Sequence, residues 1–388
     1  MTKGAASIFK EFLPRNIKAK IWVLAPVLDA SDEQIDYYYD FSQSIAEYNS
    51  VFSILNLPWK WQQINMNTFR DVIDIIEVEK ACGHFFPIVL NLCDGDEVNG
   101  APGVSVIKYL EEKEIVYTGS DEYFYNITTS KIPMKKAFDE AGVPHAPWAY
   151  YFNYEDYSPD KIFSTAGKPL IIKPAISGGS MGVGIKNVVE TREELDSLTE
   201  NLLNGYRGWN LNSGGIIAER FINGPEFTVF ISGSFDNPEN AVIYNPVERL
   251  FHHSLPDKEK FLSFERLWEI YETESAMPEE ANFYEYGKPD ESIVASLKKL
   301  SWDAFVATKG KGYTRVDIRQ DATTGKLYVL ELNAQCGISE DENFTSIGAI
   351  LKASDRSFST LVEEILIDAV NRGRKKLLTF IENNKQHN

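Results

Sequence analysis

Residues 312–337 read GYTRVDIRQDATTGKLYVLELNAQCG, and this stretch decides the fold. Two runs with apolar alternation flank the turn-forming Thr323-Thr324-Gly325-Lys326, the pattern of a β-hairpin. Side chains two apart on a strand point to one face, so Arg315 shares a face with Asp317, and Glu331 with Asn333. Carboxylate and amide oxygens are hard donors of the kind Mg²⁺ takes, together with phosphate and water. An arginine beside them suits a phosphoryl group or a developing oxyanion. A cross-strand salt bridge on a solvated face is the alternative that a hairpin by itself leaves open. Leu330 and Leu332, flanking Glu331, predict an apolar opposite face and weigh against it.

The chain has 388 residues, enough for two or three domains and a large buried core. Its 43% hydrophobic and 25% charged residues are ordinary for a soluble globular protein. A formal net charge of −18 opposes nonspecific binding to nucleic acid or anionic membrane, although a local basic pocket for a polyphosphate is compatible with it. Cys82, Cys93 and Cys336 give neither a disulfide framework nor zinc-ligand spacing. His84, His145, His252, His253 and His387 form no metal motif. No apolar run approaches the roughly 18 residues of a membrane span. The opening MTKGAASIFKEFLPRNIKAK is mildly basic without a long apolar core or cleavage motif, and predicts a helix or partly ordered extension. The expectation is a cytoplasmic enzyme or binding protein with no nucleic-acid and no membrane partner.

Lys20 to Pro26 (KIWVLAP) predicts a short apolar strand, and Asp32 to Tyr48 has helical spacing. Phe86 to Cys93 (FPIVLNLC) predicts a second buried strand running into Asp94-Gly95-Asp96. Val104 to Glu112 predicts a helix and Ile115 to Thr118 a further strand. This alternation over residues 1–120 predicts a parallel α/β sheet with ligands at the carboxyl ends of its strands. From Ser130 the pattern changes. Lys131 to Ala141 is helical and is stopped by Gly142, Pro144 and Pro147. Pro169 to Pro174 (PLIIKP) is a strand with Lys173 as its one charge, and Ala175 to Gly184 is a loop. A helix over Glu193 to Leu203 precedes strands at Gly215 to Arg220 and Glu226 to Ser232. Asn245 to Pro289 is aromatic and charged with weak periodicity, and a segment so long predicts a functional lid. Ser292 to Thr308 predicts a helix before the hairpin, and Ser357 to Arg374 a closing amphipathic helix. There is no internal repeat or low-complexity tract.

Ser177-Gly178-Gly179-Ser180-Met181-Gly182 follows the strand that carries Lys173. Glycines let backbone N–H groups approach a phosphate, and a serine hydroxyl adds a donor. A tight turn between strands explains this loop equally well. With Lys173 aimed from the preceding strand, it becomes a credible cover for a triphosphate. Ile216 to Glu226 (IIAERFINGPE) sets Glu219 and Glu226 around an apolar segment and a Gly-Pro turn. Backbone groups there suit a purine and a carboxylate suits ribose hydroxyls, while solvated glutamates beside a turn are the plainer alternative.

The order Lys131, Lys173, Gly/Ser loop, Glu219 to Glu226, then Arg315, Asp317, Glu331 and Asn333 resembles the ATP-grasp superfamily. The likeness is closest to the D-alanine–D-alanine ligase branch. It runs from about Asn91 to Gly337 and is strongest in IIKPAISGGSMGVGI, IIAERFINGPEFTVFI and RVDIRQDATTGKLYVLELNAQCG. The resemblance implies an α/β (α+β) ATP-grasp fold in three parts. These are an N-terminal substrate domain over 1–120, a central subdomain over 121–214 and a C-terminal subdomain over 215–388 with a lid near 245–289. It implies ATP and Mg²⁺ as cofactors, with Mn²⁺ as an alternative metal. Lys131, Lys173, Ser177, Gly178, Gly179 and Ser180 would meet the phosphates. Glu219, Arg220, Phe221, Ile222 and Glu226 would surround adenine and ribose, Arg220 and Ile222 through their backbone. Asp317, Glu331 and Asn333 would bind the metal, and Arg315, Lys173 and Ser180 would be catalytic. Arg249, Lys260 and Arg266 are the lid cations able to reach phosphate.

The implied reaction joins a carboxylate to an amine through an acyl phosphate. Its partners would be small-molecule or peptide carboxylate and amine substrates, with a homodimer left open. A carboxylase, a purine-type synthetase or a catalytically silent nucleotide-binding protein are the alternatives. The substrate half departs from the branch. Its serine–glutamate signature is only loosely matched by Ser31, Asp32 and Glu33, its His-Gly pair is replaced by Asn91-Leu92-Cys93-Asp94-Gly95, and its late proline is Cys336. Ser339 to Phe344 (SEDENF) is acidic where a small carboxylate should be held, which predicts a cationic, amine-rich or larger acceptor. Solvation of these acids, or pairing with Arg356, is the plainer account. The likeness is therefore to the branch and not to a D-alanine–D-alanine ligase itself.

Overall fold

The computed structural model describes residues 9, 13–14, 17–28, 40–205, 210–267, 277, 281–341 and 345–385. Ser31 to Glu33, the start of the helix expected from Asp32, and Glu342 to Phe344 lie outside the described residues. Apolar strands β1 (Ala19–Pro26), β2 (Trp59–Ile64), β3 (Phe86–Asn91) and β4 (Val116–Tyr117) form a parallel sheet in the order β2-β1-β3-β4. β2 is absent from the sequence reading because WKWQQI is a half-exposed edge strand, without the apolar run of β1 or β3. The Phe69–Ala81 helix, also unforeseen, follows it and buries Phe69, Val72, Ile73 and Ile76 at helical spacing.

The central sheet is antiparallel, ordered β5-β8-β6-β7, from β5 (Trp148–Tyr151), β6 (Leu170–Pro174), β7 (Val188–Val189) and β8 (Ile216–Arg220). Because β8 pairs with β5 and β6, the division expected at 214/215 cuts this sheet. The chain changes sheets between Arg220 and Glu226 instead.

The third sheet holds β9 (Glu226–Ser234), β10 (Asn237–Ile243), β11 (Val247–Phe251), β12 (Tyr284–Gly287), β13 (Lys311–Gln320) and β14 (Leu327–Ala334). Its order is β12-β11-β9-β13-β14, with β10 beside β9. β11 and β12 belong to the segment expected as a lid, so part of 245–289 is paired sheet. Its aromatic, charge-alternating strands VERLF and YEYG had obscured this.

The hairpin sets Arg315 opposite Asn333 and Asp317 opposite Glu331. A bulge between Asp317 and Ile318 then places Ile318 opposite Val329, leaving Leu330 as the extra residue. Leu332 and Val329 are buried against the Glu291–Ala307 and Lys131–Ala141 helices, whereas Leu330 lies on the face of Glu331. The expectation that both flanking leucines point away from Glu331 is corrected by that bulge.

The expected closing helix divides at Gly373 into Phe358–Arg372 and Arg374–Lys385. Its Leu361, Val362, Ile365 and Leu366 share one core with Ile21, Val23, Ile88 and Leu90 of the N-terminal sheet. The end of the chain thus packs under its beginning.

Candidate active site

A cavity of about 550 Å³ lies between the central and third sheets. Each wall follows from local structure. Lys131 begins a helix and Lys173 projects from β6, while strand alternation turns Arg315, Asp317, Glu331 and Asn333 to one side of the hairpin. Ser177, Gly179, Ser180, Glu219, Arg220, Phe221, Ile222 and Glu226 also line it. Of the residues expected to meet nucleotide or metal, Gly178 is not on the wall, and a Cβ there would meet open space.

Glu219 is buried between two lysines, with Lys135 Nζ 2.9 Å from Oε1 and Lys173 Nζ 3.2 Å from Oε2. Burial pushes its carboxyl up, but the charges and hydrogen bonds of Lys135 and Lys173 outweigh this and bring it down to about 2. Lys135 is fully buried, which lowers its own pKa, with Glu219 acting in the opposite sense. It escaped the sequence reading although it stands one helical turn after Lys131, on the same face. Lys131 Nζ lies 3.5 Å from Glu331 Oε2 and donates to Ser177 Oγ at 3.4 Å. Burial would raise the Glu331 carboxyl, and Lys131, Lys173 and Arg315 together hold it below its usual value.

The Gly/Ser loop is held from behind by Asn187, which donates to Ile172 O at 2.7 Å and Gly182 O at 2.8 Å. Ser180 has φ +60°, a left-handed conformation that is uncommon for a residue with a Cβ and that concentrates at ligand clamps.

At the opposite wall, Glu226 accepts from Arg319 Nε at 3.0 Å and from Arg249 Nη1. The guanidinium of Arg319 also lies 5.3 Å from the Phe221 ring and donates to Ile222 O at 2.9 Å. Burial, then the neighbouring Arg249, lowers the Arg319 pKa to about 9. Arg220 turns its side chain to Asp321, 3.5 Å away. Of the three cations expected to reach phosphate, only Arg249 lines the cavity, from β11. Lys260 pairs with Asp257 at 2.7 Å, and Arg266 is buried against Glu259 at 2.7 Å. Arg356, weighed as a partner for the acidic run, is paired with Glu364.

Arg315 donates to Asp317 through Nε and Nη2 at 3.1–3.2 Å. Burial opposes its charge, yet Asp317 more than compensates and its pKa rises. Asp317 also accepts from Thr228 Oγ1 at 2.9 Å and Asn333 Nδ2 at 3.0 Å. Among the described residues no group of three or more His, Cys, Asp or Glu side chains could hold a metal. The donor set here is instead two carboxylates and one amide, each able to offer oxygen, beside the cationic Lys131, Lys173 and Arg315. That chemistry fits a hard divalent cation shared with a polyphosphate.

A lysine-lined cavity gripped between two antiparallel sheets, with a Gly/Ser loop above and carboxylates below, defines the ATP-grasp class. The family model described as D-ala D-ala ligase C-terminus matches residues 137–367, more than half of the chain. The chain belongs to that family. It is similar to the D-alanine–D-alanine ligase of Alcanivorax borkumensis, 29% identical over 68% of this chain and 72% of that one. It is also similar to that of Acetivibrio thermocellus, 25% identical over 88% and 81% respectively. Among solved structures, the D-alanine–D-alanine ligase from Bacillus anthracis complexed with ATP superposes with a TM-score of 0.64 at 19% identity, covering 92% of this chain and 99% of that one. The VanG D-Ala:D-Ser ligase from Enterococcus faecalis gives 0.64 at 15% identity, covering 91% and 100%. The chain is an ATP-dependent carbon–nitrogen ligase of the ATP-grasp fold. Among the described residues, no helix is long and apolar enough to cross a membrane.

Proposed function

We propose that this ligase couples an amino-acid or peptide carboxylate to an amine through an acyl phosphate, in the cavity that contains Lys131, Lys173 and Arg315. The observation that supports this is the convergence there of the two lysines, the arginine and the Asp317, Glu331 and Asn333 oxygens. The substrate carboxylate attacks the γ-phosphorus of ATP and ADP leaves. The amine then attacks the acyl carbon, and phosphate departs from the tetrahedral intermediate.

Catalysis is mainly positioning and charge neutralisation, because phosphate is already a good leaving group. Lys131 and Lys173 hold the phosphate chain beneath the loop from Ser177 to Ser180. Arg315 turns from Asp317 to donate to the oxyanion. Asp317, Glu331 and Asn333 would hold Mg²⁺, which would supply positive charge to offset that of the phosphates. Residues 252–267, which follow β11, belong to the described part of the expected lid and would exclude water from the acyl phosphate. The apolar wall of Ile171, Val183, Phe221 and Leu330 suits the adenine base. A cytoplasmic location belongs to the same reading, given the ATP requirement and three unpaired cysteines.

ADP release with Mg²⁺ and pairs of amino acids, starting from D-alanine, is the test. Turnover with at least one pair is expected, and a folded protein releasing no ADP with any pair overturns the proposal. Arg315→Ala should lower kcat by roughly 10²–10³-fold with the ATP KM little changed. An equal loss of ATP binding would make the arginine structural.

A further inference from the structure

The cavity continues past Asn333. Its wall there includes Gly337 and Ser339 after β14, and Ser44 from the Ser42–Leu55 helix. Behind these hydroxyls stands Glu47, 6% exposed and one helical turn after Ser44. Its Oε1 accepts from Ser339 Oγ at 2.7 Å and from Gln43 Nε2 at 3.1 Å, which aims the carboxylate at the Ser339 wall. Its Oε2 is buried without a hydrogen-bond partner. Beside it, burial and then the charge of Glu47 raise the Glu340 carboxyl above its usual range.

The other carboxylates of the cavity are treated differently. Glu219 has Lys135 and Lys173, Glu226 has Arg249 and Arg319, Asp317 has Arg315, and Glu331 has Lys131. Among the described residues Glu47 has no ion-pair partner. A buried carboxylate is costly without a counter-charge, and this one adjoins the space that the two ligated molecules must share with Arg315.

We infer that a substrate supplies that counter-charge: one of the two ligated molecules carries, besides any α-ammonium, a side-chain ammonium or guanidinium group, held by the Ser44 and Ser339 hydroxyls with the Glu47 carboxylate behind them. The inference rests on the ligase reading above and names the substrate class for it. Glu47 acts as a positioning residue, through Ser339, and takes no part in bond making.

The test compares lysine with norleucine, the same chain without its side-chain ammonium, and arginine with citrulline. Each is offered with D-alanine, in both enantiomers, and ADP release is measured. The wild type should favour the cationic member by about tenfold or more in kcat/KM. Glu47→Gln should bring that ratio close to one, mainly through KM, and Ser339→Ala should lower it too. Both variants are checked for folding by circular dichroism, and Ser339→Ala decides the matter if Glu47→Gln does not fold. Equal use of charged and neutral members by the wild type, or a preference that survives substitution, overturns the inference. If no pair releases ADP, the ligase reading fails by itself. Calorimetric binding of lysine and norleucine then decides separately: tighter lysine binding that Glu47→Gln or Ser339→Ala abolishes supports the cation subsite, and equal binding overturns it.

Discussion

Glu219 shows how much one carboxylate can organise when it is buried between two cations. Its Lys135 partner lies wholly inside, so Glu219→Gln leaves a buried ammonium uncompensated. A loss of about 3–5 kcal/mol is expected, measurable by urea unfolding at neutral pH. The pH dependence follows from the sign of the shift. The carboxyl falls from 4.5 to about 2 on folding, so its contribution is complete above 4.5 and disappears as the pH drops through 2. The stability gap between wild type and Glu219→Gln should therefore close across that window. Glu226 makes a different prediction. Arg249 and Arg319 already occupy its oxygens, leaving little acceptor capacity for a ribose hydroxyl. The 2′-deoxy form of ATP should serve with a KM within about threefold of ATP, a difference under 1 kcal/mol. A far larger penalty in steady-state kinetics would mean that the arginines let go. Lys131, Lys173 and the hairpin charges were legible because strand alternation and short motifs are written locally. Lys135 and Arg319 were not, since a lysine in a helix or an arginine in a strand reads as solvated until its distant glutamate is known; Arg249 was read as a lid cation, but its pairing with Glu226 was hidden for the same reason.

At the level of elements, the hairpin and most strands follow from apolar runs and turn residues, and the Lys131–Ala141 helix begins and ends where its sequence says. The failures have a common cause. β2, β11 and β12 carry charges and aromatics because they are edge strands or face a polar cavity, so no apolar run marks them. The bulge at Leu330 was equally hidden, since two leucines around a glutamate look identical with or without it. It now separates them. Leu332→Ala should cost about 2–5 kcal/mol from a fully packed core. Leu330→Ala should leave the melting temperature within a few degrees and raise the KM for ATP instead, because Leu330 faces the cavity. Comparable destabilisation by both in calorimetry would contradict the observed register.

For the whole molecule, a net charge of −18 coexists with a cavity in which Lys131, Lys173, Arg249, Arg315 and Arg319 stand against its carboxylates, so the overall acidity does not describe the site. The packing of the Phe358–Arg372 helix under the N-terminal sheet is the long-range feature that no local pattern announced. Ending the chain at Ser357 should expose Ile21, Ile88 and Leu90, giving a protein that is insoluble or unfolds without cooperativity by circular dichroism. A soluble, cooperative fragment would show that the sheet stands alone. The same packing bears on synthesis. Val116–Tyr117 completes the parallel sheet early, yet the helix that covers it is translated only some 240 residues later. At about 5–20 residues per second, the nascent chain carries an apolar face covered only in part, by the Ser42–Leu55 helix, for on the order of ten seconds or more. The first sheet to be made must therefore wait, on the ribosome or under a chaperone, for the Phe358–Arg372 helix to complete its cover.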